Sequence, residues 1–455
     1  MSHEANAGAA KFATELEERI LHPVLRAGRG FMITVTVLSA VILWALFAWV
    51  TQLRSGLVTT GLNRPVFWGV YITNFVFFIG ISHAGTLISA ILRLCQAEWR
   101  RSITRCAEVI TVMVLFFGVA NVLADMGRPD RALNVIQYAH FGSPLLWDVT
   151  SISIYLTCSI IYLYLPLIPD IALLRDRLPR ARWFYGPLAL GWRGTAPQWQ
   201  RLERLISLMA VIILPVAISV HTVVSWVFAM TIQPFWHSTI FGPYFVAGAI
   251  FSGIAALIIA MAILRRAYHL EAFLKPIHFN YLGVLLLVMT LIWFYFTFAE
   301  HLTAFYGGEP AHMAVFWERI SGRYAPFFWT MVGCCFVVPM SLLSRRKTRN
   351  VTGTVVASIT ITIGMWLERF TIVVPTLVNP RLPYERGIYQ PTWVEWSILA
   401  GCLAAFILLY ALFTKVFPIV SIWEVKQGVE EGRGLVAERL DTYLPHVEKP
   451  GRAPA

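Results

Sequence analysis

Apolar stretches of about twenty residues, the length that crosses ~30 Å of hydrocarbon, recur along the chain between short polar segments. Ten stand out, at 31–50, 66–92, 106–125, 145–168, 204–228, 243–264, 279–304, 326–343, 352–375 and 395–417. A helix satisfies its own backbone hydrogen bonds inside a bilayer, so each run predicts a transmembrane helix. The expected fold class is an all-α integral membrane protein with ten spans. Composition agrees: 57% of the 455 residues are hydrophobic, 14% are charged, and mean hydropathy is +0.65, far from the soluble range. The polar start KFATELEERILHPVLR is followed by no small-residue cleavage site, so no cleavable signal peptide is expected.

The net charge of +12 raises nucleic acid as a partner, but the basic residues sort by loop. Of 37 Lys and Arg, 28 lie in the two termini and the even-numbered loops, eight lie in the odd loops, and Arg369 falls within a span. That is the positive-inside pattern. It places both termini in the cytoplasm, supports an even number of spans, and leaves no case for nucleic acid. The expected location is a bacterial inner membrane. The six cysteines show no CxxC and no Cys/His spacing for a metal. No metal, haem or iron–sulfur site is expected in this chain.

The chain also repeats itself. Written at an offset of 173, WGVYITNFVFFIGISHAGTLISAILR (68–93) and FGPYFVAGAIFSGIAALIIAMAILRR (241–266) match at Gly69/Gly242, Tyr71/Tyr244, Gly80/Gly253, Ile81/Ile254 and Arg93/Arg266. SPLLWD (143–148) matches APFFWT (325–330) at Pro144/Pro326 and Trp147/Trp329. Spans 2–5 and 6–9 therefore read as two related four-helix bundles in parallel orientation. The expected organisation is a cytoplasmic segment 1–30, a flanking helix 31–50, a first bundle 66–228, a second bundle 243–375, a flanking helix 395–417 and a cytoplasmic tail 418–455.

Positions kept in both halves read as architecture. Positions polar in one half and bland in the other are candidates for chemistry. His83 faces Ala256, Asp148 faces Thr330 and His140 faces Gly322, all with the polar member in the first bundle. Asp125 closes span 3, and the loop after it brings in Arg128, Asp130 and Arg131. Asp125 with Arg128 also reads as a structural ion pair. His221, Glu300, His301, Glu368 and Arg369 fall in outer halves of later spans. Glu368 and Arg369 are neighbours in sequence and point to different sides of their helix, so each is expected to need its own partner. Ionisable groups at membrane depth are costly and mark function.

Carboxylates and imidazoles at one face suit proton transfer. Quinol oxidation needs partners for the ring oxygens and a base for the departing protons. His140 and Asp148 are the expected ring-oxygen partners, with Asp125 and Arg128 shaping the site and His83 as a deeper proton relay. Trp147, Tyr138, Phe141 and Phe77 could wall the ring. His221, Glu300, His301, Glu368 and Arg369 would form a proton pathway with His83.

WGVYITNFVFFIGISHAG (68–85), DMGRPDR (125–131) and SPLLWD (143–148) together resemble the NrfD/polysulfide-reductase membrane-subunit family. With HTVVSWVFAMTIQPFWHSTIFGPYF (221–245), the chain looks most like the larger NrfD-type members of alternative complex III, the quinol-binding C subunit more than its F paralogue. The resemblance implies a bound menaquinone or ubiquinone. It implies an extracytoplasmic iron–sulfur partner related to molybdopterin-enzyme subunits, a second NrfD-like membrane subunit and a multihaem cytochrome c, with a terminal oxidase as a further candidate. Smaller family members carry an Asn/His pair early in the first bundle; GLNRPVF (61–67) has Asn63 and no His. Three rivals stay open: a secondary transporter, a b-type cytochrome with His83 and His221 as axial ligands, and a membrane anchor without quinone.

Overall fold

A computed structural model describes residues 17, 18, 20–24, 28–429 and 431. Most of the expected segment 1–30 and much of the tail 418–455 lie outside these residues. Among the described residues, ten helices are long and apolar enough to cross a membrane. They are α1 (Arg29–Ser55), α2 (Val70–Leu94), α3 (Thr104–Asp125), α4 (Pro144–Arg177), α5 (Ala196–Ala229), α6 (Phe241–Ala267), α7 (Pro276–Gly307), α8 (Ala325–Leu343), α9 (Val351–Val378) and α10 (Trp393–Val416). Each expected span is found. The helices overrun the apolar runs, by as much as nine residues at the end of α4, because their last turns carry polar groups such as Arg175 and Arg177 beyond the hydrocarbon. α8 contains one π-helical turn, Gly333–Val337.

Helices α2–α5 pack on one another, and so do α6–α9. The two sets meet along a seam where α2 packs on α6 and α9 and α5 packs on α6, with α2 and α5 also packed on each other along it. α2 lies almost wholly inside the protein, whereas α1 is mostly turned outward. α1 pairs with α10, which leans on α3. Glycine lets the seam close: a Cβ at Gly80 would sit 3.2 Å from Ser252 Oγ. The matched prolines open α4 and α8 at their first turn, where a missing N–H costs nothing. The matched indoles brace the preceding loop: Trp147 Nε1 donates to Phe141 O at 2.6 Å and Trp329 Nε1 to Ile320 O at 3.0 Å.

At the arginine-rich end, the chain after α10 is strapped across the first bundle. Arg105 and Asp170, each 2% exposed, pair at 2.5 Å. Arg105 also donates to Pro418 O and Ser421 Oγ, and Asp170 accepts from Ile422 N. Glu424 lies between Arg93 and Arg100 at 3.2 and 3.1 Å. A buried ion pair is costly unless its remaining valences are met; the strap meets several of them, while Arg105 Nε stays unpartnered.

Candidate functional site

At the arginine-poor end, the loop after α3 stands open. Tyr138 is 78% and Phe141 86% exposed, and His140 is exposed beside them. Arg128 pairs with Asp130 at 3.1 Å, both well exposed, and makes no pair with Asp125. Two residues apart in one turn, they meet without bending the backbone toward α3. The guanidinium holds the Asp130 carboxyl below its usual range. Asp148 is half-buried one turn into α4, and its shielded Oδ1 has no hydrogen-bond partner. Trp147 is half-buried beside it, tied to the loop as described. Phe77 is not on this surface: it is buried in the core of α2 against Phe78. α2 is interior along most of its length, so an aromatic there packs.

Asp125 is half-buried at the end of α3, again with an unpartnered, shielded Oδ1. Its surroundings come from the flanking helices. Gln52 of α1 donates to Ala124 O at 2.7 Å and accepts from Tyr71 at 2.6 Å. Glu395, at the start of α10, is within electrostatic reach. Glu395 is fully buried and accepts from Gly61 N, Thr392 N and the Tyr389 hydroxyl, which itself accepts from Val70 N. Burial and the adjacent Glu395 push the Tyr389 phenol well up, so it stays a donor. Asn63 clamps this region, donating to Ile388 O at 2.8 Å. Nothing in the sequence links Glu395 or Tyr389 to Asp125.

A second polar group fills the seam. His83 and His221, 0% exposed, meet edge to face with centroids 3.8 Å apart. His83 Nε2 lies 2.6 Å from Ala217 O, and neither nitrogen of His221 has a hydrogen-bond partner. Beyond His221 comes Arg369, whose guanidinium lies over the Phe245 ring at 4.9 Å; a Cβ at Gly248 would come within 2.6 Å of it.

Glu368 and Arg369 bind each other, contrary to the expectation from their adjacency. Arg369 Nη1 reaches Glu368 Oε2 at 2.7 Å, both residues 1% exposed. Their Cβ atoms diverge, but the long arginine stem folds back along the helix. The contact is close without hydrogen-bond alignment, and Trp293 Nε1 holds the other oxygen at 2.8 Å. A buried pair is far less costly than two separate buried charges.

Farther toward the arginine-poor end, Glu300 accepts from Ser238 Oγ at 2.7 Å. His301 Nδ1 lies 2.8 Å from Thr297 O, with Nε2 buried and unpartnered. Thr297 donates to the Tyr244 hydroxyl at 3.3 Å. Tyr244, Glu300, His301 and Arg319 line a cavity of about 20 Å³, room for one water. Arg319 comes from the short helix Pro310–Ile320, donates to Thr376 and stacks on Phe235; burial lowers it to about 10, leaving it cationic at neutral pH. At the other end of the first bundle, Glu108 accepts from Ser89 Oγ at 2.6 Å, beside Tyr162. Glu108 is visible in the sequence as a carboxylate inside a span; its partners are not.

Ten spans, a divided bundle and buried titratable groups define a polytopic membrane protein with ionisable side chains in its interior. The model of the family described as polysulphide reductase, NrfD, matches residues 58–380, and the chain belongs to that family. It is 26% identical over 86% of its length, and 92% of the relative's, to a Halobacterium salinarum protein provisionally named as the membrane C subunit of a dimethyl sulfoxide reductase. The C subunit of the Mesobacillus selenatarsenatis selenate reductase is 23% identical, covering 85% of this chain and 94% of that protein. The Hdr-like menaquinol oxidoreductase integral membrane subunit of Archaeoglobus fulgidus is 23% identical, covering 87% and 95%. The chain is thus an integral membrane subunit with a redox role in a larger complex.

Proposed function

We propose that this chain is the quinol-binding subunit of a respiratory oxidoreductase, most like the C subunit of alternative complex III. Quinol is oxidised at the arginine-poor end, which the positive-inside bias assigns to the extracytoplasmic side of a bacterial inner membrane, with both termini in the cytoplasm. Each quinol gives up two electrons, which pass to an extracytoplasmic iron–sulfur partner, and two protons, which leave outward. Asp148 and His140 take the ring protons; Asp125, Arg128, Tyr138 and Trp147 shape the approach. Phe77 acts from behind, as packing. The name of the Archaeoglobus relative supports menaquinol as the substrate. A second NrfD-like subunit, a multihaem cytochrome c and a terminal oxidase complete the expected assembly.

The observation that carries this reading is the carboxylate of Asp148. It is shielded and unpartnered, eight residues along the chain from the exposed His140, and the second bundle has Thr330 instead. An unmet polar group at that depth costs energy unless a ligand meets it. A general base adds about 100-fold or more to a proton-coupled step. In the purified complex, Asp148→Asn and His140→Ala should each slow quinol oxidation by about that factor. Unchanged rates in both variants would overturn the reading.

The polar seam favours a proton pathway alongside. His83, His221, Arg369, Glu368, Glu300 and His301 are carried by α2, α5, α9 and α7, and the cavity beside Tyr244 holds space for a water relay. Loss of quinol-driven proton release in His221→Phe, with quinol oxidation retained, tests it.

A further inference from the structure

Arg93, Arg100, Arg101, Arg105, Arg175 and Arg177, at the arginine-rich end of the first bundle, are each held by a carboxylate. The arginines at the start of α5 are not. Arg193, Arg201 and Arg204 are exposed, and among the described residues no carboxylate lies within ion-pair distance of them. Arg193 N donates to Gln198 Oε1 at 2.9 Å, which sets that residue beside the first turn of α5, just before Arg201.

The position of these charges on the helix matters. Each residue turns the helix by about 100°, and α5 buries Leu202, Ile206, Ala210, Ile213 and Ala217 on one face. Arg201 and Arg204 head the opposite face. Below them on that face come Leu205, Leu208, Val211, Ile212 and Pro215, all exposed. Glu203 points elsewhere, about 140° round from Leu208. The apolar stripe is about 15 Å long at the helix rise, half of the ~30 Å of hydrocarbon and so one leaflet. Its charged head lies where the apolar runs end. Trp199 packs on Trp423 with centroids 5.3 Å apart, and Trp423 Nε1 donates to Pro166 O near the end of the apolar run of α4.

We infer that this face of α5 binds an anionic diacyl phospholipid of the leaflet at the arginine-rich end, with its phosphate between Arg201 and Arg204, Arg193 behind, and an acyl chain along Leu205, Leu208 and Ile212. Guanidinium forks match phosphate oxygens, and basic groups at a membrane surface attract anionic headgroups. Charge selects the occupant: a quinol or an uncharged lipid leaves both cations unmatched, and a zwitterionic lipid brings a cation of its own. Position selects it too. The acidic face of a soluble protein would meet the arginines but not a stripe at hydrocarbon depth. The site is at the opposite end of the molecule from Asp148 and does not depend on what the complex oxidises.

The test is photolabelling of the whole purified complex in nanodiscs with phosphatidylglycerol carrying a diazirine on its acyl chain, compared with phosphatidylcholine carrying the same chain. Adducts are mapped by mass spectrometry. The proposal expects adducts within residues 205–215, several-fold more from phosphatidylglycerol, and lost in the double variant Arg201→Gln with Arg204→Gln. The double variant Arg345→Gln with Arg346→Gln removes the same charge from exposed positions at the same end of the second bundle, and should leave the labelling unchanged. Excess glycerophosphoglycerol, the headgroup without chains, should not compete. Both double variants are compared at matched thermal melts. Equal labelling by the two lipids, equal loss in both double variants, or no adduct within 205–215 would overturn the proposal. Competition by the chainless headgroup would reduce the site to a phosphate site. Crosslinking of a photoreactive residue at position 208 to another subunit would put a protein there. The proposal falls in either case.

Discussion

The imidazoles of His83 and His221 touch edge to face at 3.8 Å, joining α2 to α5 across 138 positions of sequence. No acid lies between them to share a proton, and His221 has both nitrogens unpartnered. An unmet buried polar group costs about 1–3 kcal/mol. His221→Phe should therefore raise the thermal midpoint of the complex or leave it unchanged, while proton release falls. A large loss of stability would mean that the pair is structural and the pathway lies elsewhere.

Removing one member of the Glu368–Arg369 pair strands the other at 1% exposure. Arg369→Leu should cost about 3–5 kcal/mol. The double change Glu368→Gln with Arg369→Leu should recover most of that, because no bare charge remains. A double-mutant cycle by denaturation in detergent measures the coupling. Additive effects would contradict the pairing.

The strap makes a different prediction. Arg105 ties Asp170 to Pro418 and Ser421, so Arg105→Ala should free the segment after α10. Limited trypsin digestion should then cut at Lys426 much faster than in the parent complex. Equal cutting rates would mean that Glu424, held by Arg93 and Arg100, is a sufficient anchor by itself.

His312 supplies a pH test. Burial holds its imidazole below the ordinary histidine value of 6.5, with Glu309 opposing. The folded segment favours the neutral ring, so opening takes up a proton. Docking of Pro310–Ile320 is therefore strongest above the ordinary value and weakens as pH falls through the depressed one. Amide exchange over residues 310–320, taken relative to the intrinsic rate of an unprotected amide at each pH, should show protection falling from about pH 7.5 to about pH 5, and His312→Gln should remove the dependence.

All ten spans were readable because the lipid enforces one rule on every run of residues. The candidate site was readable only in part. Asp148 and His83 announce themselves as ionisable groups in apolar runs, and the repeat sharpens both by offering Thr330 and Ala256 as contrasts. Contacts between distant residues leave no such mark. Glu395 meets Gly61 across 334 positions, and Arg105 meets Pro418 across 313. Glu368 with Arg369 failed for another reason: spacing rules describe where Cβ atoms point, and an arginine stem reaches well past its own Cβ. Phe77 failed because an aromatic on an interior helix gives the same signal as one at a ring site.

The two indole braces have a consequence for assembly. Trp147 pins the loop that carries Tyr138, His140 and Phe141 to the first turns of α4, although those side chains stand largely in the open. A protein that lands on this surface meets a loop whose shape is already set. Docking then forfeits little backbone freedom, and the cost that usually weakens association through surface loops is met during folding.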